Sequence, residues 1–184
     1  MIISLTGKPC SGKSSIAKIL KDKYNFKVYS VGEMFKDEAH KRDMTAEEFN
    51  KFLMSDPKFD NFIDEKTVEL GKLWENENVV FDSRLAWHFI PHSFKVFVDL
   101  DNEELARRLV NSDRVGKEKY ENEKDAFKTI IGRFNAENKR YKKFYGVDNT
   151  DMKNYNLVIS SKNKTPEELA DFIYLKYKEY FNLK

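Results

Sequence analysis

Short apolar segments alternate with longer amphipathic segments along the chain. The short segments are rich in β-branched and aromatic residues, which predicts strands; they lie at 2–6, 26–29, 79–81, 94–98 and 157–159. Between them, apolar residues recur at three- and four-residue spacing, which predicts amphipathic helices. Strands that alternate with helices form a parallel sheet covered on both faces. The pattern therefore predicts one doubly wound α/β domain with a five-stranded parallel sheet over residues 1–184.

Several of the predicted helices have recognisable starts. Thr45 and Thr165 are each followed three residues later by a glutamate, which is the spacing of a capping box. Asp101 occupies the cap position before another helix. A long helix is predicted from about residue 58 to about residue 75. We expect the last helix to bury one stripe of side chains, namely Leu169, Phe172, Ile173, Tyr177, Tyr180 and Phe181.

Composition narrows the class of protein. The chain has 184 residues, enough for one α/β domain, and a formal net charge of only +2. A charge so close to zero argues against a general nucleic-acid-binding surface. The single cysteine, Cys10, cannot form an internal disulfide, which favours a reducing compartment. The apolar start ends at Gly7 without a basic segment, so neither a signal peptide nor a membrane span is predicted. We expect a cytoplasmic protein.

A phosphate-binding motif follows the first predicted strand. Residues 7–14 fit G-x-x-x-x-G-K-[ST] and open a helix, which is the context that this motif requires. Glycines let successive backbone N–H groups converge on an anion, and the helix N-terminus adds its positive end. We expect Lys13 to reach the β- and γ-phosphates of ATP and the Ser14 hydroxyl to ligate Mg²⁺. The predicted ATP-binding residues are Gly7, Lys8, Pro9, Cys10, Ser11, Gly12, Lys13, Ser14 and Ser15.

This motif, the P-loop, occurs in GTPases, ATPases and small kinases. GTPases also need N-K-x-D to recognise guanine, and the nearest sequence, at 163–166, lacks the aspartate. Residues 112–124 are charged and have no apolar periodicity, which is typical of a connecting loop. A kinase needs a loop that closes over its site, because phosphoryl transfer must exclude water. We therefore favour a small kinase with a lid at about 111–125.

Further blocks of the sequence resemble the nucleoside monophosphate kinases, most closely the short cytidylate kinases of the archaeal type. The resemblance runs nearly end to end, with its blocks in one order. Besides the P-loop, they are residues 30–35, 48–51, 56–57, Asp60, Asp64, 79–85, Arg133, Glu137, 140–141, 145–148 and 155–159. The resemblance implies a P-loop kinase fold and phosphorylation of a nucleoside monophosphate.

The resemblance also implies where the acceptor nucleotide binds. It places monophosphate-binding helices at about 31–76, and it assigns acceptor binding to Ser30, Gly32, Glu33, Lys36, Asp60, Lys66 and Arg84. Lys36 and Lys66 stand where the family has arginine; lysine neutralises a phosphate but cannot form the bidentate fork. Arg84 follows the third strand, at the carboxyl end where open α/β sheets bind ligands. A surface ion pair is the alternative role for Arg84.

Arginine is scarce in this chain, with seven residues against 26 lysines. The resemblance implies that four of the seven clamp the transferring phosphoryl group, namely Arg108, Arg114, Arg133 and Arg140. Arg133 and Arg140 are two helical turns apart, so we expect them on one side of their helix. An i,i+4 pair of Arg133 with Glu137 is an alternative.

The expected reaction is Mg²⁺-dependent transfer of the γ-phosphoryl group of ATP to CMP or dCMP. Asp82, directly after the third strand, is expected to hold a Mg²⁺-bound water, or else to cap a turn. The expected partner is the nucleotide substrate alone, without nucleic acid or membrane, and a monomer is expected. Adenylate or uridylate kinase activity stays open, as does a kinase acting on a hydroxyl such as that of dephospho-coenzyme A. The alternative of another class is a non-catalytic nucleotide-binding regulator.

Overall fold

The computed structural model describes residues 1–45, 48–49, 52, 58–110 and 123–183. Its strands are β1 (Ile2–Gly7), β2 (Lys27–Ser30), β3 (Val79–Asp82), β4 (Phe94–Asp99) and β5 (Leu157–Ser160). Its α-helices include α1 (Lys13–Tyr24), α2 (Val31–His40), α3 (Lys58–Leu73), the single turn α4 (Ala86–Phe89), α5 (Asn102–Val110), α6 (Glu123–Tyr145) and α7 (Pro166–Tyr180). A short 3₁₀ helix covers Met152–Asn154.

The five strands form one parallel sheet in the order β2-β3-β1-β4-β5. This confirms the predicted five-stranded parallel sheet. Because β1 is central and its neighbours run parallel to it, the carboxyl ends of β3, β1 and β4 lie side by side at one edge. The register places Leu5 opposite Asp82 and Gly7 opposite Val98. That edge is where an open α/β sheet binds its ligand.

Both faces of the three central strands, β3, β1 and β4, are largely buried, as their apolar sequences predict. On one face Ile3 and Leu5 pack with Ile16 and Leu20 of α1 and with Ile173 of α7. On the other face Ile2, Val79 and Phe81 pack with Leu70 of α3 and Ile90 after α4. Alternate residues of β1 therefore belong to different cores, and the first helix leaves the sheet directly after the P-loop.

The predicted helix starts are confirmed. Thr165 and Glu168 form a reciprocal capping box at the start of α7. Thr45 and Glu48 make the same two hydrogen bonds, at 2.8 and 3.2 Å. Asp101 accepts a hydrogen bond of 2.8 Å from the backbone N–H of Glu104 at the start of α5. These contacts satisfy backbone N–H groups that a helix leaves without partners in its first turn.

The structure differs from the sequence prediction in two places. The short helix α4 and the 3₁₀ helix were not predicted, because a helix of one turn is too short to show the apolar repeat that indicates a helix. The stripe predicted on α7 is only partly buried: Ile173 and Tyr177 are inside, whereas Phe172 and Tyr180 are 40% and 42% exposed. None of the helices within the described ranges is both long enough and apolar enough to cross a membrane.

Helix α6 packs beside the P-loop through a small apolar cluster. Leu105 and Leu109 of α5 meet Ile130 of α6, and Cys10 packs against this cluster. The contact brings the middle of α6 towards the carboxyl edge of the sheet. The lid predicted at about 111–125 falls almost entirely outside the described residues, so the division of the chain into insert and lid stays a prediction.

Candidate active site

The P-loop begins where β1 meets its neighbour β4 closely. The backbone N–H of Lys8 donates to the Val98 carbonyl at 3.1 Å, and a Cβ on Gly7 would lie 2.3 Å from that same oxygen. Only glycine fits at this position. The Ser11 side chain is 1% exposed, and its Oγ has no hydrogen-bond partner among the described residues. A buried hydroxyl without a partner inside this loop fits a loop built to receive an anion.

Lys13 lies across the mouth of the P-loop. Its Nζ donates to the carbonyls of Gly7 and Lys8 at 3.2 and 3.0 Å. Burial, and next the positive charge of Arg84, lower the pKa of Lys13 to about 8. Asp82 and Glu137 act in the opposite direction. The ammonium therefore stays mostly protonated at neutral pH, as a phosphate-binding lysine must.

Ser14 and Asp82 form a pair of oxygen ligands beside Lys13. The Ser14 hydroxyl donates to Oδ2 of Asp82 at 3.1 Å, because α1 starts next to the end of β3. Hydroxyl and carboxylate oxygens are ligands that Mg²⁺ accepts, and Mg²⁺ usually takes only a few from a protein while keeping waters and phosphate oxygens. The two side chains fit a P-loop magnesium site. Within the described part of the chain, no cluster of three or more His, Cys, Asp or Glu side chains forms a separate metal site.

Arg84 leaves the end of β3 and points at the P-loop. Its Nη1 donates to the Gly7 carbonyl at 3.0 Å, the same oxygen that Lys13 contacts. Its Nε lies 2.6 Å from Oε2 of Glu137 on α6. Its guanidinium carbon is 5.0 Å from the centre of the Phe134 ring, a cation–π distance. Arg84 is thus in an ion pair, but a partly buried one at the P-loop and not on the outer surface.

Arg108 connects the P-loop with the loop after β5. Its Nη1 donates to the Cys10 carbonyl at 3.2 Å, and its Nη2 to the Ser161 carbonyl at 2.5 Å. Glu104, which is 5% exposed, accepts from both Arg107 and Arg108, and these hydrogen bonds lower the pKa of Glu104 to about 2. Arg107 points away, with 64% of its side chain exposed. Of the two neighbours, Arg108 is the one that contacts the P-loop.

The residues expected to bind the acceptor are more dispersed. The Ser30 hydroxyl caps α2 by accepting from the Glu33 N–H at 3.3 Å. Gly32, Glu33 and Lys36 are exposed on α2. Lys66 on α3 pairs with Glu69 at 3.0 Å. The side chain of Asp60 lies outside the described residues. The assignment of these residues to acceptor binding therefore stays a prediction.

The remaining clamp arginines are Arg114, Arg133 and Arg140, and their role in the clamp stays a prediction. Arg133 is exposed on α6, and Arg140 lies 5.6 Å from the ring of Tyr141. Arg114 lies outside the described residues. The i,i+4 spacing allows a pair of Arg133 with Glu137, but Glu137 pairs with Arg84 instead.

Sequence reasoning missed three partners in the site. Glu137 and Phe134 contact Arg84, and Ser161 accepts from Arg108. Each lies far along the chain from the arginine it contacts, and no local spacing connects them. Asp99 at the end of β4, which pairs with Lys8 at 2.9 Å, could have been found as a carboxylate that directly follows a strand of the sheet.

The chain is similar in sequence to a known protein family and to several named relatives. A family model described as an AAA domain matches residues 3–128. The chain is 35% identical over 174 residues to a cytidylate kinase of Methanocella arvoryzae. That match covers 95% of each of the two chains. The chain is 34% identical over 179 residues to an S-adenosylmethionine-dependent nucleotide dehydratase of Lacinutrix mariniflava. That match covers 96% of this chain but 36% of the dehydratase.

Among solved structures, the fold is similar to that of a shikimate kinase from Bacteroides thetaiotaomicron. The TM-score is 0.62, and the match covers 100% of this chain and 99% of that one. The sequences are 16% identical, so this likeness concerns the fold alone.

Proposed function

The chain belongs to the nucleoside monophosphate kinases of the cytidylate kinase type, and we propose that it transfers the γ-phosphoryl group of ATP to CMP or dCMP. The products are ADP and the pyrimidine nucleoside diphosphate. The family makes the chain a P-loop phosphotransferase; the choice of acceptor and the roles of the residues below are the proposal.

The observation that carries the proposal is the shared contact of Lys13 and Arg84 with one backbone oxygen. Both donate to the Gly7 carbonyl, at 3.2 and 3.0 Å, so two cations stand side by side at the end of β1. The P-loop motif assigns Lys13 to the phosphates of ATP. A second cation next to it supports an acceptor that brings a phosphate of its own, with ATP on Lys13 and the monophosphate on Arg84.

The nearby acids support the same acceptor class. A kinase that acts on a hydroxyl needs a carboxylate to accept the hydroxyl proton. The two acids beside Lys13 are already engaged: Asp82 accepts from Ser14, and Glu137 pairs with Arg84. A phosphate oxygen is anionic near neutral pH and needs no general base. Catalysis would then rest on in-line positioning and on neutralisation of charge.

Several residues of the site have roles in the proposed reaction. Lys13 and the N–H groups of the P-loop bind and orient the donor phosphates. Ser14 and Asp82 would hold Mg²⁺, which supplies neutralisation of charge on the donor phosphates when bound. Arg84 holds the acceptor phosphate in line. Arg108, Arg114, Arg133 and Arg140 are proposed to form the clamp when substrate is bound, since phosphoryl transfer must exclude water.

Cytosine as the base is supported by the names of the relatives. The archaeal relative is a cytidylate kinase over 95% of both chains. The dehydratase, whose name also refers to a nucleotide, matches this chain over 36% of its own length.

The experiment is a panel of acceptors with ATP and Mg²⁺, read as ADP formation in a coupled assay. CMP and dCMP should give the highest kcat/KM, with UMP and AMP below them and shikimate and dephospho-coenzyme A inactive. Lys13→Ala should abolish turnover, whereas Lys18→Ala, on the exposed side of the same helix, should not. Turnover of a hydroxyl acceptor, with no turnover of any monophosphate, would contradict the proposal and identify a kinase that acts on a hydroxyl group. A folded protein that turns over none of them would be a nucleotide-binding regulator.

A further inference from the structure

Glu137 is an acid that the reaction above does not use, although it lies among the cations of the site. Only 20% of its side chain is exposed, and its Oε2 is 2.6 Å from Nε of Arg84. It also lies near enough to raise the pKa of Lys13. A half-buried carboxylate placed where two phosphate groups must bind needs a reason, since like charge repels them.

The contact does not follow from the helix that carries Glu137. Arg133 and Arg140 stand four residues before and three residues after it on α6, at the spacings that give helical ion pairs. Arg133 nevertheless stays exposed, and Glu137 reaches across to Arg84 at the end of β3. The pair therefore joins two elements that meet only through the tertiary fold.

Together, the contacts fix the orientation of the guanidinium. Glu137 lies against Nε, the Gly7 carbonyl accepts from Nη1, and the ring of Phe134 lies 5.0 Å from the central carbon. Glu137 forms an ion pair on the Nε side, and the Gly7 carbonyl accepts one hydrogen of Nη1. Of the five N–H donors of an arginine, these contacts leave at least those of Nη2 and one of Nη1 for another ligand. Those donors form the terminal edge of the guanidinium, which can bind a phosphate with two parallel hydrogen bonds.

We propose that Glu137 is a positioning residue for Arg84. It anchors the Nε side of the guanidinium against α6, so that the terminal edge faces the acceptor phosphate before that substrate arrives. The inference rests on the proposed function, because it names Arg84 as the acceptor-phosphate ligand. The phosphate then binds to a side chain already held in place, without first having to order it.

A competing role makes the opposite prediction. If Glu137 merely occupied the phosphate position and had to be displaced, removing its charge would strengthen acceptor binding. If it positions Arg84, removing its charge weakens acceptor binding. The sign of the change in KM for the acceptor therefore separates the two roles.

The test is Glu137→Gln, which keeps the shape and removes the charge. With CMP varied at saturating ATP, KM for CMP should rise about 10- to 100-fold, because a misplaced substrate ligand has effects of this order. With ATP varied, KM for ATP should change by less than about twofold. Glu179→Gln is the matched control, since it breaks an exposed pair with Lys176 of 2.6 Å, and it should leave both constants unchanged.

A double-mutant cycle shows whether Glu137 acts through Arg84. In the background of Arg84→Ala, adding Glu137→Gln should have no further effect on KM for CMP. An equal effect in both backgrounds would assign Glu137 a separate role and overturn the proposal, as would a fall in KM for CMP in the single variant. Glu137→Asp keeps the charge on a shorter side chain and should lie between the wild type and Glu137→Gln.

A second readout needs no turnover. A ligand-free crystal structure of Glu137→Gln should show the Arg84 guanidinium withdrawn from the Gly7 carbonyl. An unchanged contact of about 3 Å would overturn the inference even if the acceptor proved to be another molecule. Failure of the wild type to phosphorylate any monophosphate would count against the proposed function instead, so the two failures are distinguishable.

Discussion

Gly7→Ala tests the close approach of β1 to β4 that shapes the P-loop. The added Cβ would lie 2.3 Å from the oxygen and 2.9 Å from the nitrogen of Val98. Both are backbone atoms of a central strand, so they cannot rotate away as a side chain would. To accommodate the methyl group, the start of the P-loop must move away from β4 and lose the Lys8–Val98 hydrogen bond of 3.1 Å.

The free energy of unfolding should fall by ~5–7 kcal/mol. Overpacking a core costs ~1–3 kcal/mol, and the upper end applies against backbone. The φ of +156° at Gly7 adds roughly 1–3 kcal/mol for a residue with a side chain. The lost hydrogen bond contributes about 1 kcal/mol. At roughly 2–4 °C per kcal/mol for a domain of this size, the midpoint of thermal unfolding should fall by roughly 10–28 °C.

Gly146→Ala is the matched control. Gly146 has a φ of +68° at the end of α6, and a Cβ there would have nothing within 4 Å. It should therefore lose only the ~1–2 kcal/mol of a left-handed residue. Urea unfolding followed by circular dichroism at 222 nm measures both variants. Equal losses in the two would refute the argument, because they would show that the contact with Val98 adds nothing to backbone strain.

Three further predictions concern charges in and around the site. Arg84→Ala should raise KM for CMP about 10- to 100-fold, the worth of a charge-assisted hydrogen bond, and KM for ATP by less than about threefold; equal losses in steady-state kinetics would remove Arg84 from the acceptor site. Asp82→Asn should raise the Mg²⁺ concentration needed for half-maximal activity by about tenfold, and an unchanged Mg²⁺ titration would contradict its assignment. Glu104 has a pKa lowered from 4.5 to about 2 by its arginine partners, so its contribution to stability is complete above pH 4.5 and declines as the pH falls towards 2. Urea midpoints should therefore show the wild type losing its advantage over Glu104→Gln between about pH 4.5 and pH 2, and a constant difference would show that the carboxylate does not titrate in this way.

Local patterns predicted most of the fold. The strands at 2–6, 79–81 and 94–98 agree with the observed strands within about one residue at each end, because a buried parallel strand needs a continuous apolar run. The capping boxes at Thr45 and Thr165 were equally predictable, since each is complete within four residues. The exposed Phe172 and Tyr180 were not, because a helical stripe does not say how wide the neighbouring core is.

The site divides in the same way. The P-loop and Lys13 follow from a contiguous motif, and Arg84 from its place after a strand. The contacts of Glu137 and Phe134 with Arg84 depend on where α6 lies relative to β3. The packing of Ile130 against α5 holds α6 in that position. Pairing of residues from distant elements leaves no trace in the spacing of one sequence.

The strand order has a consequence for how such an enzyme could change its substrate. On one side of β1, the ends of β4 and β5 fasten Lys8 through Asp99 and Arg108 through Ser161. On the other side, Arg84 follows β3, and the neighbouring strand β2 ends at Ser30, which caps α2. Under the proposed roles, the central strand separates a donor side from an acceptor side, and exchanging the segment after β2 would alter the acceptor side. A single folding unit can in this way evolve one specificity while it conserves the other.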